Sequence, residues 1–150
     1  MLQQTKEWHE LRKTKIGASD APVIVGVNPW KTSYQLWEEK LGLRQPKAKT
    51  AAMERGLLME EEARQEFMKH TGIEVAPKVL VSEDIPWMMA SLDGISTDGK
   101  HLVEIKCPGN DDHQLALDGV IPEKYKPQLI HQMIVANVET IFYFSYTLWI

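Results

Sequence analysis

The sequence predicts an α/β (α+β) domain: a small mixed central sheet flanked by helices. Three observations predict it. Residues at helical spacing dominate up to about residue 70, after which the period changes to that of strands. A further helical stretch then separates this β region from a last apolar and aromatic segment, so the order is helices, three strands, helix, strand. The chain has 150 residues, a length that suits one domain spanning residues 1–150 and able to bury a sizeable core.

The elements follow in order. A short helix runs around Trp8–Lys13, and the turn IGASD opens a second short helix that Ser19 or Asp20 can cap, with Pro22 tolerated in its first turn. Asn28-Pro29 marks a turn. Thr32-Ser33-Tyr34-Gln35 is a capping box for a helix that carries Leu36, Trp37 and Leu41 and stops at Gly42. Arg44–Thr50 is a loop with three basic residues, and a long helix follows from about Ala51 to His70, ended by Thr71-Gly72. Val75–Ser82 and Trp87–Ile95 read as strands around a Glu83–Pro86 turn. Thr97-Asp98-Gly99-Lys100 is a tight hairpin turn into the apolar strand Leu102–Cys107. Pro108–Pro122 is irregular and acidic, Glu123 to about Asn137 is a helix with an early Pro127, and Ile141–Ile150 is a final strand.

Composition narrows the chemistry. No apolar run approaches the ~18 residues that span a bilayer, and the N-terminal MLQQTKEWHELRK lacks the apolar core of a signal peptide, so a cytoplasmic protein without a membrane partner is expected. The lone Cys107 excludes an intramolecular disulfide and four-cysteine zinc or iron–sulfur sites. Net charge is −4, yet residues 1–50 carry nine Lys/Arg against five Asp/Glu, whereas residues 51–150 carry eight against sixteen. One end can meet a polyanion while the other gathers carboxylates; dispersed surface charge is the alternative. P-loop, GxGxxG and GxSxG motifs are all missing.

The strongest local signal is Asp93 with Glu104-Ile105-Lys106. Alternation puts Glu104 and Lys106 on one side of their strand, and the turn at 97–100 can fold Asp93 beside Glu104. Two carboxylates and an ammonium on an apolar hairpin call for a neutralising partner, and a hard divalent cation supplies one; a surface Glu–Lys or Asp–Lys pair is the other reading. Glu60 falls within the stripe of Met53, Leu57 and Phe67 and can join the same cluster, or pair with Arg64 four residues on. Gln128 and Gln132 share a helix face that can orient water or grip phosphate, or can simply be solvated. His113, His131 and Cys107 match no zinc spacing. The Trp and Met residues read as core, except that Trp30, on a turn in the basic third, is a candidate to meet a base.

Together these pieces resemble the YqaJ-like viral recombinase family, phage exonucleases related to lambda exonuclease within the PD-(D/E)XK nuclease superfamily. The matching segments run in order: Trp8-His9-Glu10-Leu11-Arg12, Ile16-Gly17-Ala18-Ser19-Asp20, Asn28-Pro29-Trp30, Arg55-Gly56 with Glu60 and Ala63, Ser91-Leu92-Asp93-Gly94, Glu104-Ile105-Lys106-Cys107-Pro108, and Tyr125 with Gln128 and Gln132. Leu92 stands where the superfamily name has proline, a position that tunes a turn rather than the chemistry.

The resemblance implies a restriction-endonuclease-like fold and a metal-dependent DNA phosphodiesterase, a 5′-to-3′ exonuclease on linear double-stranded DNA acting in recombination. It implies that Asp93, Glu104 and the Ile105 carbonyl bind magnesium (Mg2+, with Mn2+ substituting), and that Glu60 completes the cluster directly or through water. Lys106 would position and activate the attacking water, and Gln128 would contact substrate. Arg12 and Ser19 look like the pair that receives the 5′-terminal phosphate, in keeping with an arginine beside a serine at a helix start; Gln132 and Trp30 are further expected DNA contacts. A homotrimeric ring, with Lys13, Lys15, Lys31 and the 47–49 loop lining its channel, and a single-strand annealing partner also follow from the resemblance. Family members usually continue through a further strand and C-terminal helix, so a shortened homologue with an exposed apolar edge at Phe142–Ile150 is expected. An endonuclease or structure-specific nuclease using the same site, and an inactive truncated DNA-binding remnant, are the alternative functions.

Overall fold

Capping chemistry sets the helices of the N-terminal half. In the computed structural model, which describes residues 1–148, Thr5 accepts a hydrogen bond from the Trp8 amide at the start of α1 (Lys6–Lys13). A 3₁₀ turn (Ala18–Asp20) leads into the single-turn α2 (Ala21–Ile24), where Asp20 turns back to accept the Gly17 amide at 2.8 Å. The capping box of α3 (Ser33–Lys40) is complete: the Gln35 amide donates to Thr32 Oγ1 and the Thr32 amide to Gln35 Oε1. Helix α4 (Ala51–Thr71) is capped by Thr50 and ends at Gly72, whose φ of 72° is the left-handed conformation glycine adopts freely.

The sheet has the order β1-β2-β3-β4, from β1 (Val75–Val81), β2 (Met89–Ser96), β3 (Leu102–Lys106) and β4 (Ile141–Ser145). Its first three strands are antiparallel and β4 lies parallel to β3, so the sheet is mixed, as expected. The β1–β2 register slips between Ala76 and Lys78. Pro77 has no amide to give the ladder there, and β1 is an edge strand where such a break is tolerated. The parallel step from β3 to β4 is spanned by α5 (Asn110–Leu117) and α6 (Lys126–Ala136).

Two apolar clusters hold the layers together. Ala63 and Phe67 of α4 pack with Val75, Val103 and Ile105, while Val135 of α6 packs with Ala18, Met88, Ala90, Leu92 and Leu102. Phe67 alone, fully buried against Phe142 and Phe144, contributes about 1.5–3 kcal/mol of transfer free energy. The segment after α1 is tied to the sheet by main-chain bonds: Ile16 receives from Met89 and donates to Trp87, making a parallel bridge to Met88.

Several expectations need correcting. Pro108–Pro122 contains α5, whose eight residues include none that is buried; with no apolar stripe, its helical period is invisible in the sequence. Met53 and Leu57 do not face the core: they are exposed, because α4 meets the sheet only from Ala63 onward. Trp37 and Trp87 are exposed too, whereas Trp8, Met88 and Met89 are core as expected. The last strand ends at Ser145 and is an edge of the sheet as expected, but Phe142 and Phe144 are half-buried on Phe67, and of the described apolar side chains there Leu148 is the exposed one. The part of that expectation falling on Trp149 and Ile150 lies outside the described residues.

Candidate active site

Strand register builds the centre of the site. Gly94 pairs with Val103, which sets Asp93 opposite Glu104 on the β2–β3 hairpin. Asp93 Oδ2 accepts the Ile105 amide at 2.9 Å, so the main chain between Glu104 and Lys106 fixes its carboxylate. Glu104 is 3% exposed and is held from three directions. Its Oε1 accepts from Lys106 Nζ at 2.8 Å and from Gln128 Nε2 at 2.9 Å; its Oε2 accepts from Gln132 Nε2 at 2.7 Å. Helix α6 supplies both glutamines at i, i+4, one turn apart on the face it turns to β3.

Helix α4 closes the other side. Arg64 is buried, donates from Nε to the Asp93 carbonyl at 2.7 Å, and pairs through Nη2 with Glu60 Oε1 at 2.7 Å. Glu61 also pairs with Arg64. The i, i+4 pair considered for Glu60 therefore forms, and it anchors Glu60 to the backbone of the Asp93 strand. Arg64's direct grip on that strand is the part the sequence reading missed; a buried arginine on the apolar side of a helix is the signal that could have found it.

The electrostatics fit a cluster in want of positive charge. Burial, then Glu104 and Glu60, push the Asp93 carboxyl well above its ordinary value. Burial also raises Glu60, with Glu104 adding and Arg64 opposing. Burial works against the Lys106 ammonium, but Glu104, with Asp93 and Tyr125 adding, turns the net shift upward, so Lys106 stays charged. The Cys107 thiol, half-buried just beyond β3, is pushed up to about 11 by burial and the nearby carboxylates. Its character there is that of an inert thiol.

The donor set is compatible with magnesium. Hard carboxylate oxygens converge, and their mutual repulsion is what a divalent cation relieves. Among the described residues no three His, Cys, Asp or Glu side chains form a ready-made cage. Magnesium does not require one, since it keeps several waters and binds through one or two carboxylates. Asp93 and Glu104 match that pattern, and Glu60 has one oxygen, Oε1, engaged by Arg64.

A row of alternating rings and cations leads away from the cluster. Lys106 Nζ lies 4.5 Å from the centre of the Tyr125 ring; Lys124 Nζ lies 5.2 Å from the same ring and 5.1 Å from that of Trp30. Asp112 holds Lys124 at 2.7 Å, and Tyr125 stacks on Tyr143 with ring centroids 6.3 Å apart. Trp30 keeps 61% of its surface exposed, so this row brings a residue of the basic N-terminal third to the edge of the carboxylate site. Lys124 and Tyr143 had no signal in the sequence.

Arg12 and Ser19 also meet, with Arg12 Nη2 donating to Ser19 Oγ at 3.3 Å. The guanidinium lies over Trp8, 4.6 Å from the ring centre, and 3.7 Å from Asp20, whose other oxygen pairs with Lys40 at 2.8 Å. Trp8 is fastened to β2 through Nε1–H to Ser91 Oγ at 2.7 Å. Gln132 departs from its expected place: it is fully buried and spends its amide N–H on Glu104, so it has no surface with which to touch DNA.

Known proteins share this arrangement of strands and helices. An alkaline exonuclease (LHK-Exo) from Laribacter hongkongensis superposes with a TM-score of 0.79 at 28% identity, over 95% of this chain and 74% of that one. The structure of LHK-Exo in complex with dAMP gives 0.78 at 26% identity over the same shares. The uncharacterized protein YqaJ of Bacillus subtilis (strain 168) is 31% identical over 136 residues, which are 89% of this chain and 43% of that protein. Protein D345L of African swine fever virus (strain Badajoz 1971 Vero-adapted) is 36% identical over 58 residues, 39% of this chain and 17% of its own length. The chain thus spans less than half the length of these two relatives. The YqaJ-like viral recombinase domain matches residues 7–139, a stretch that takes in Arg12, Asp93, Glu104, Lys106 and both glutamines. With its PD-(D/E)XK-like fold and that match across most of its length, the chain belongs to the YqaJ-like viral recombinase domain family.

Proposed function

We propose that this chain is a magnesium-dependent deoxyribonuclease that degrades linear double-stranded DNA from a 5′ end in recombination. The observation that carries the reading is the Asp93–Glu104 pair facing across a hairpin with Lys106 bonded to Glu104 at 2.8 Å. Asp93, Glu104 and the Ile105 carbonyl would hold the cation, which when bound supplies an acidified water and screens the phosphate. Lys106, its direction set by Glu104, Gln128 and the Tyr125 face, orients the nucleophile. Glu60 acts from behind this set through Arg64.

Arg12 with Ser19 receives the terminal 5′-phosphate, and Trp30 offers a ring to a nearby base. The similar LHK-Exo has been captured with dAMP, a deoxynucleoside monophosphate, which is the product class this reading assigns. A homotrimer and a single-strand annealing protein complete the proposed partners. Among the described residues no helix is long and apolar enough to cross a membrane.

The test incubates purified protein with linear and closed-circular duplexes, with and without magnesium. Loss of the linear duplex alone, only with magnesium, is the expected result. Equal cutting of circles supports an endonuclease, and intact DNA of both kinds supports a binding remnant.

A further inference from the structure

We infer that Gln132 is a positioning residue that determines which oxygen of Glu104 faces a divalent cation, and that this oxygen is Oε2. The inference rests on the metal-dependent reading above and adds a residue and an atom to it. A carboxylate oxygen has two lone-pair sites. On Glu104 Oε1 both are taken, one by Lys106 at 2.8 Å and one by Gln128 at 2.9 Å. Among the described residues Oε2 accepts from Gln132 alone, at 2.7 Å, which leaves its second site for a cation. Glu104 therefore presents a single oxygen, and the hydrogen bond to that oxygen fixes the plane of the carboxylate.

Gln132 is placed for this and for nothing at the surface. It is 0% exposed, in contrast to its expected role as a DNA contact. Its amide nitrogen faces Glu104, while its own Oε1 is buried with no hydrogen-bond partner among the described residues. Turning the amide over would aim that oxygen at Glu104 and set two acceptors against each other. A residue kept only for packing at a fully buried position does better without a polar end. The arrangement serves the carboxylate at the expense of the glutamine.

The experiment titrates manganese into the full chain by calorimetry without DNA, then measures KM for a linear duplex at saturating manganese. Gln132→Met keeps length and volume and removes the donor; Gln132→Asn keeps an amide that is too short to reach. Both are expected to lose about ten- to a hundredfold in manganese affinity, with KM for DNA unchanged. Val135→Ala, a core substitution on the same helix away from Glu104, is expected to lower the melting temperature and leave manganese affinity alone. An unchanged affinity in both Gln132 variants overturns the inference, as does an equal loss in Val135→Ala, which would signal general loosening. A raised KM with intact manganese affinity also overturns it and returns Gln132 to the DNA. If the wild-type chain takes up no manganese at all, the metal-dependent reading itself fails and the inference fails with it.

Discussion

Gly94→Ala tests how the β2–β3 hairpin holds the two carboxylates. A Cβ at this position would lie 2.6 Å from Val103 Cγ1, 2.8 Å from Val75 Cγ2 and 2.9 Å from Val75 Cβ. Carbon atoms in contact sit roughly 3.5–4.0 Å apart, so both neighbours must retreat by about 1 Å. The backbone at Gly94 is not left-handed, so alanine meets no dihedral penalty and recovers a few tenths of a kcal/mol through the unfolded state. Overpacking of this kind costs about 1–3 kcal/mol, and the net loss expected is about 1–2 kcal/mol. For a chain of this size that lowers the melting temperature by roughly 2–8 °C.

Because the β2–β3 ladder ends at Gly94–Val103, one residue before Asp93 and Glu104, relief of the clash is expected to widen the gap between the carboxylates. A shift near 1 Å at reacting groups can cost on the order of a hundredfold in rate, so cleavage should fall further than stability does. Urea denaturation with a double-mutant cycle checks the cause. In Gly94→Ala/Val103→Ala the two effects should be less than additive by about 0.5–1 kcal/mol, the remainder residing in Val75. A Gly94→Ala protein as stable as wild type, or strict additivity in the cycle, refutes the close-approach argument.

Three further perturbations probe the site. Asp93→Asn should abolish cleavage yet raise the stability of the metal-free chain at neutral pH, since it removes a buried charge that Glu104 and Glu60 oppose. The sign follows from the raised pKa: between the ordinary aspartate range and the raised one the folded state holds the extra proton, so wild-type stability falls as pH rises. Thermal melts over that range should show a shallower fall in Asp93→Asn; an equal slope argues against the coupling. Lys106→Ala should bind manganese in calorimetry but lose about 10²–10⁴-fold in single-turnover rate, and lost affinity with intact turnover would reassign the residue. Arg12→Ala should erase a preference for 5′-phosphorylated over 5′-hydroxyl ends of roughly ten- to a hundredfold while leaving basal cleavage; gel assays in which wild type cuts both ends equally remove the end pocket.

Local rules made much of the molecule legible. The Thr32–Gln35 capping box, the stop at Gly72 and the turn at Gly99 each depend on a few consecutive residues, and each is where the sequence places it. The same holds for Asp93 beside Glu104, because a tight turn and strict alternation fix the partner across a hairpin. Helix α5 escaped notice for the converse reason: a helix without a buried face leaves no period to read. Periodicity also overreached at Met53 and Leu57, since a stripe shows which residues share a helix face and is silent on how far along the helix the sheet extends.

By itself, then, the sequence determined the hairpin that carries Asp93, Glu104 and Lys106, the boundaries of α3 and α4 to within a residue, and the family to which they belong. Only the tertiary structure decided how those charges are balanced. Gln128 and Gln132 reach Glu104 across 24 and 28 residues of chain, and Arg64 reaches the Asp93 carbonyl across 29. Spacing at i, i+4 puts two glutamines on one face whether that face meets water, phosphate or a carboxylate. The choice belongs to the packing of α6 against β2 and the 3₁₀ turn at Ala18–Asp20, which removed Gln132 from solvent altogether and left its amide facing Glu104.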